Sequence, residues 1–210
     1  LKDNKIIGYE ENKPLNPDYV INKLSKLNKN APIFANVLGD YKEFKFIDSK
    51  LSNVVEMYIV NVELAHEISK NNWLHSKPLC VSIHPNELDS LFMLNNKDYD
   101  SIMIEEIQFS TNFEQKNFLI ETINLLKSRQ IEKPIFTKGG VIEPIDAIEL
   151  LNEGAALTFL THGYVYSGPG LPKRINEALL FNSNQPDYYS NGWIWYYLFG
   201  LFMFIGGLLA

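Results

Sequence analysis

A chain of 210 residues, 46% of them hydrophobic, can bury one sizeable core and leaves little room for a second domain. Its net charge of −6, with lysines scattered among acids, excludes the concentrated basic face of a nucleic-acid binder. One cysteine, Cys80, inside an apolar run, excludes a disulfide framework or thiolate metal site and fits a reducing compartment.

The chain begins at Leu1 rather than Met, which reads as a fragment or a processed product, and "KIIGY" at 5–9 reads as a remnant of a preceding segment. Six β-rich runs follow: "PIFANV" at 32–37, "MYIVNV" at 57–62, "PLCVSI" at 78–83, "SIMIEE" at 101–106, "PIFT" at 134–137 and "LTFL" at 157–160. Most are continuously apolar, as parallel strands covered on both faces should be. Amphipathic segments separate them; at 117–129, Phe118, Ile120, Ile123, Leu125 and Leu126 cluster with helical spacing. Six βα units in series predict a parallel sheet. An open doubly wound sheet and a closed barrel both fit this alternation.

The last two strands carry glycine-marked turns. Gly139 and Gly140 follow "PIFT", Pro144 opens the next helix and Gly154 stands near its end; after "LTFL" come Gly168, Pro169 and Gly170. A glycine turn lets backbone N–H groups approach an anion with no Cβ in the way, and a helix N-terminus adds a favourable dipole. Either turn alone is compatible with mere tight βα connections; the pair predicts phosphate binding. A phosphate site after the last two strands is a recurrent barrel feature, so the glycines favour a (β/α)8 TIM barrel whose six C-terminal βα units are present. The predicted barrel domain covers 1–181 and a polar linker 182–192. From 193 to 210 the chain has no charge and would form a helix about 27 Å long, enough for a single transmembrane span, with Trp193, Trp195, Tyr196 and Tyr197 as an interfacial belt.

Residues 137–171 resemble the closing segment of the FMN-dependent dihydroorotate dehydrogenase family. The shared elements are Gly139-Gly140-Val141, Asp146-Ala147, Gly154-Ala155 and the run Tyr166-Ser167-Gly168-Pro169-Gly170-Leu171. Upstream, "PIFANVLGDYKEF", "MYIVNVEL" and "PLCVSIHPN" resemble the family's third, fourth and fifth strands.

The resemblance implies FMN as cofactor, with its phosphate held by Gly139, Gly140, Thr161 and His162 and further contacts from Asn36, Ser82 and Lys138. Asn61 matches a substrate-binding Asn. Thr161-His162 stands where the family has Tyr-Thr. Ser82 stands where the family has a Lys that stabilises the reduced flavin, and Lys138 is placed to supply that charge from a neighbouring strand. Glu63-Leu64-Ala65 replaces the family's Ser/Cys-Pro-Asn, and Glu105-Glu106 replaces its Asn-Thr, which would repel an anionic substrate.

As successive strand residues, the two glutamates would point to opposite faces and not share a task. The catalytic base, a Ser or Cys in the family, has only Ser69 and Ser76 as candidates, so the catalytic residues stay unassigned. His84 and His162 fall at strand ends, where a ligand contact and a structural role are both open. Among His66, His75, His84 and His162 no metal-ligand spacing occurs, and no metal is expected.

The expected function is a membrane-anchored flavoprotein oxidoreductase of pyrimidine biosynthesis. It would oxidise dihydroorotate, a small-molecule substrate, by hydride transfer to FMN, with a membrane quinone as acceptor. Its barrel would lie on the cytoplasmic or an equivalent reducing side, and oligomers are compatible. The alternative is a catalytically degenerate barrel used as a membrane-tethered binding or scaffold subunit.

Overall fold

The computed structural model describes residues 16–24, 26, 32–107 and 111–184. The "KIIGY" segment and the transmembrane span expected at 193–210 lie outside the described residues; among those described, no helix is long and apolar enough to cross a membrane. Six parallel strands form one sheet in the order of the chain: β1 (Phe34–Asn36), β2 (Met57–Asn61), β3 (Leu79–Ile83), β4 (Ser101–Ile104), β5 (Ile135–Lys138) and β6 (Ala155–Phe159). The helices are α1 (Pro17–Leu24), α2 (Tyr41–Leu51), α3 (Val62–Lys70), α4 (Leu88–Phe92), α5 (Asn112–Ser128), α6 (Pro144–Asn152), α7 (His162–Ser167) and α8 (Leu171–Asn184).

Strand order decides between the two architectures left open by the sequence. A doubly wound sheet reverses its order at a switch point and carries helices on both faces. Here each strand pairs with its sequence neighbour, without reversal. The helices also lie on one face only. Tyr58, Val60, Val81, Ile83, Ile102, Ile104 and Ile135 point outward into a core shared with Leu64, Ile68, Leu119, Ile123, Leu126 and Leu150 of the helices. The alternate residues Ile59, Cys80, Met103 and Phe136 point inward and pack only with other strand residues, Phe34, Met57 and Phe159.

The inner face closes on itself. Phe34 of β1 stacks on Phe136 of β5 with ring centroids 6.4 Å apart, and contacts Phe159 of β6 at 6.0 Å. Aromatic contact between the first and sixth strands requires strong curvature. The fold is therefore a half-barrel of six βα units. Two inner aromatic pairs of this kind add about 0.5–1.5 kcal/mol each beyond their burial.

Local chemistry sets the element limits. Thr111 and Glu114 form a capping box that starts α5 at Asn112, five residues before the stretch predicted from apolar spacing alone. Asp40 and Glu43 do the same for α2. The run "SIMIEE" is strand only as far as Ile104, so Glu105 and Glu106 belong to the loop at the sheet's end. Two helices were missed by periodicity: α1, which packs Val20 and Ile21 on the core, and the short α7 directly after β6. α8 extends through residues 182–184, the first positions assigned to the linker.

Candidate active site at the C-terminal rim

Moving along each strand by two residues from the inward apolar layer reaches a polar layer. Phe34, Ile59, Cys80, Met103 and Phe136 are followed two positions later by Asn36, Asn61, Ser82, Glu105 and Lys138. The apolar plug below them seals the barrel floor, and burial pushes the Cys80 thiol up to about 12, so it stays an unreactive core thiol. All five polar residues stand at the carboxyl ends of parallel strands, the end at which barrels of this kind bind ligands.

Three of the five are bonded together. The Ser82 hydroxyl donates to Glu105 Oε1 at 2.5 Å, and Lys138 Nζ pairs with Glu105 Oε2 at 2.6 Å. Lys138 does not stand on the strand next to Ser82: β4 lies between them, and the Glu105 carboxylate at its end bonds to both. Glu106 turns the other way and its Oε1 meets His162 Nδ1 at 2.7 Å. The two glutamates serve different partners, although they lie beyond the strand rather than on it. Asn36 is exposed at the end of β1. Asn61 caps α3 by accepting from Leu64 N–H at 2.8 Å, which occupies its carbonyl oxygen and not its amide nitrogen.

The β5 turn requires glycine at both positions. Gly139 and Gly140 have φ of +79° and +73°, in the region that strains other residues. A Cβ on Gly140 would lie 2.8 Å from Leu119 Cδ1, and one on Gly139 would lie 2.7 Å from the Glu106 carboxylate. Asp146 fixes the turn from below. It accepts from Ile142 N–H at 3.1 Å and Glu143 N–H at 2.9 Å, and pairs with Lys116 at 2.9 Å. Lys116 also meets Glu149 at 2.5 Å.

Burial alone would raise the Asp146 pKa. Hydrogen bonds from Lys116 and from the Glu143 and Ile142 amides, together with the Lys116 charge, bring it below the usual carboxylate value. Lys116 is likewise pushed down by burial and carried above its usual value by its two acidic partners.

Buried polar atoms without partners collect around the same turn. Gln115 has neither amide atom paired, and its Cγ lies 3.5 Å from where a Gly140 Cβ would be. The hydroxyls of Thr137, immediately upstream, and of Thr161, at the start of α7, are also unpaired. Buried groups of this kind cost about 1–3 kcal/mol each, a cost that recurs where a ligand completes the bonds. Gln115 carried no signal in the sequence reading; its burial depends on the α5 start set by Thr111.

The candidate bases are elsewhere. Ser69, near the end of α3, donates to Asp98 Oδ2 at 2.6 Å, and Ser76, in the loop before β3, donates to Asp48 Oδ1. Both belong to the amino-terminal end of the sheet, opposite the polar layer. α3 begins at Val62, immediately after β2, so no loop intervenes to carry a base over the rim. His84 lies at the end of β3 and starts a 3-10 turn, its N–H donating to Glu87 Oε2 at 2.7 Å; its backbone serves the turn.

No family model matches the chain. Among curated proteins, it is 28% identical over 165 residues to dihydroorotate dehydrogenase (quinone) of Christiangramia forsetii, which covers 77% of this chain and 41% of that protein. It is 46% identical over 50 residues to the enzyme of the same name from Chloroflexus aurantiacus, covering 24% of this chain and 14% of the relative. Among solved structures, DHODH from Eimeria tenella in complex with ferulenol superposes with a TM-score of 0.56 at 12% identity, covering 80% of this chain and 62% of that one. The chain is similar to dihydroorotate dehydrogenases and diverges from them in sequence.

The fold likeness reaches beyond that family. The recombinant flavin-binding domain of baker's yeast flavocytochrome b2 superposes with a TM-score of 0.53 at 15% identity, covering 79% of this chain and 54% of that one. The chain spans less than half the length of the Christiangramia relative. Set against the dihydroorotate dehydrogenase pattern, the half of the site that would hold a flavin phosphate fits its ligand. Its glycine turn would be filled by any Cβ, and the unpaired Gln115 amide and Thr161 hydroxyl supply donors. The half facing the ring position differs, because the Lys138 cation meets Glu105.

Proposed function

We propose that the chain forms the flavin-holding part of a dihydroorotate dehydrogenase-like flavoprotein. FMN is anchored by Gly139, Gly140, Thr161 and His162, while Asn36, Ser82 and Lys138 face the remainder of the cofactor and Asn61 the substrate. The observation that carries this reading is the β5 turn. Two glycines at positive φ stand beside an unpaired buried amide and hydroxyl, at the rim where parallel barrels bind ligands. An anion with several acceptor oxygens is the ligand whose chemistry completes those donors.

In the full protein the reaction supported by the family likeness is oxidation of dihydroorotate, with a quinone as terminal acceptor and a membrane tether from the apolar segment at 193–210. FMN, when bound, supplies the hydride acceptor. The chain's own residues orient it: the β5 turn fixes one end, the Phe34, Phe136 and Phe159 cluster closes the floor beneath it against water, and Asn61 offers its amide nitrogen to substrate.

A second reading, a flavin-holding barrel that no longer turns over, is favoured by one observation. α3 follows β2 directly, and Ser69 and Ser76 are bonded at the opposite end of the sheet. The purified full chain separates the two. Flavin absorbance that bleaches on adding dihydroorotate supports the dehydrogenase, flavin that stays oxidised supports the degenerate barrel, and no flavin uptake contradicts both.

A further inference from the structure

We propose that Glu105 and Glu106 are internal counter-ions of the cofactor rim, each weakening one part of its hold on an anionic flavin. The inference rests on the flavin reading above and adds to it a division of labour between two adjacent residues.

Glu105 is the hub of the inner polar layer. Both its oxygens are taken, one by the Ser82 hydroxyl and one by Lys138. Its side chain is only 13% exposed and that of Lys138 34%, so solvent does not fully screen the pair. Reduction places negative charge on a flavin ring, and a nearby uncompensated cation favours the reduced form. Lys138 is the one lysine of this layer, and Glu105 cancels its charge. The pair leaves this layer without an uncompensated cation.

Glu106 acts on the other part of the site. Its carboxylate carbon and Oε1 lie 2.7 Å from the place a Gly139 Cβ would take, and Oε1 is bound to His162 Nδ1. A carboxylate packed against the glycine turn puts negative charge beside the groups that would receive a phosphate. It also engages His162, one of the residues expected to contact that phosphate. Like charges at this separation repel wherever solvent is partly excluded, and the Glu106 side chain is 17% exposed. Ring and phosphate are thus governed by two consecutive glutamates that point in different directions.

The test uses the full chain with FMN and with riboflavin, which lacks the phosphate. Binding is followed by flavin fluorescence, and potential by equilibration with a dye of known potential. Glu105→Gln should shift the two-electron reduction equilibrium at least tenfold toward the reduced form, about 30 mV, with FMN affinity changed less than threefold. Glu106→Gln should tighten FMN at least tenfold and riboflavin less than twofold.

An unmoved potential in Glu105→Gln overturns the proposal, as does a Glu106→Gln that fails to tighten FMN or tightens riboflavin equally. Wild type and variants that all fail to bind either flavin overturn the flavin reading itself, and the counter-ion role with it. Circular dichroism melts check that each variant folds. Glu105→Ala and Glu106→Ala carry the same comparison if a Gln variant does not fold.

Discussion

The two ends of this sheet are built from the same strands and treat their polar groups in opposite ways. At the amino-terminal end, the buried Asp48 accepts from Ser76 and from Trp73 Nε1 at 3.4 Å, and Tyr58 donates to its carbonyl at 3.5 Å. Asp100 accepts from Leu79 N–H at 2.8 Å and Asp98 from Ser69 at 2.6 Å. Burial, followed by the charge and hydrogen bond of Asp48, drives the Tyr58 pKa well above its ordinary value, so the phenol stays protonated. At the carboxyl end, by contrast, Gln115, Thr137 and Thr161 are left unpaired and the ions pair among themselves. A fold that satisfies one end and leaves donors over at the other keeps stability and ligand binding apart.

That separation can be broken most forcefully where both ends of the account meet in one residue. A Cβ on Gly163 would run into the Val141 carbonyl oxygen, because α7 packs directly on the β5–α6 turn. Gly163→Ala should cost about 3 kcal/mol or more in a urea melt and abolish FMN binding. Asp146→Asn comes next. It leaves the largely buried Lys116 without the more buried of its two partners and replaces the charged acceptor of the turn amides by a neutral one, for about 2–4 kcal/mol and a weaker grip on FMN.

The sign of its pH dependence is fixed. A carboxylate whose folded pKa is lowered contributes stability that is complete above its unfolded value near 4 and is lost as pH falls through the folded value. The acid limb of a stability–pH profile should therefore flatten in Asp146→Asn.

The amino-terminal end supplies the control. Asp48→Ala strands the Ser76 and Trp73 donors and should cost about 2–3 kcal/mol, while FMN affinity stays within twofold. A large loss of flavin affinity in that variant would erase the distinction between the ends. The smallest effect on stability sharpens it furthest. Thr161→Val removes a buried hydroxyl that has no partner, so the flavin-free protein should be unchanged or more stable by up to about 1 kcal/mol. The same substitution should weaken FMN about tenfold, read by fluorescence titration.

Much of this was legible in the sequence, for reasons that can be assigned. The six strands announce themselves through continuous apolar runs because helices cover the outside and aromatic side chains fill the inside. The glycine turn is visible because glycine takes positive φ more cheaply than any other residue. Choosing between open sheet and barrel needed strand order, which a single chain does not display. α5 was placed late because apolar spacing reports the buried stripe and not the cap; the Thr111–Glu114 box held the better signal. Glu105 and Glu106 read as repulsive because their partners, Lys138 and His162, are 33 and 56 residues away. The period-two step from Met103 to Glu105 already placed one of them in the inner layer.

The most direct test of the account is a paired titration of the full chain with FMN and riboflavin. A rim that grips through the β5 turn and α7 should bind FMN at least tenfold more tightly than riboflavin, and Gly140→Ala should erase that difference. Equal affinity for the two flavins, or a preference that survives Gly140→Ala, would contradict it.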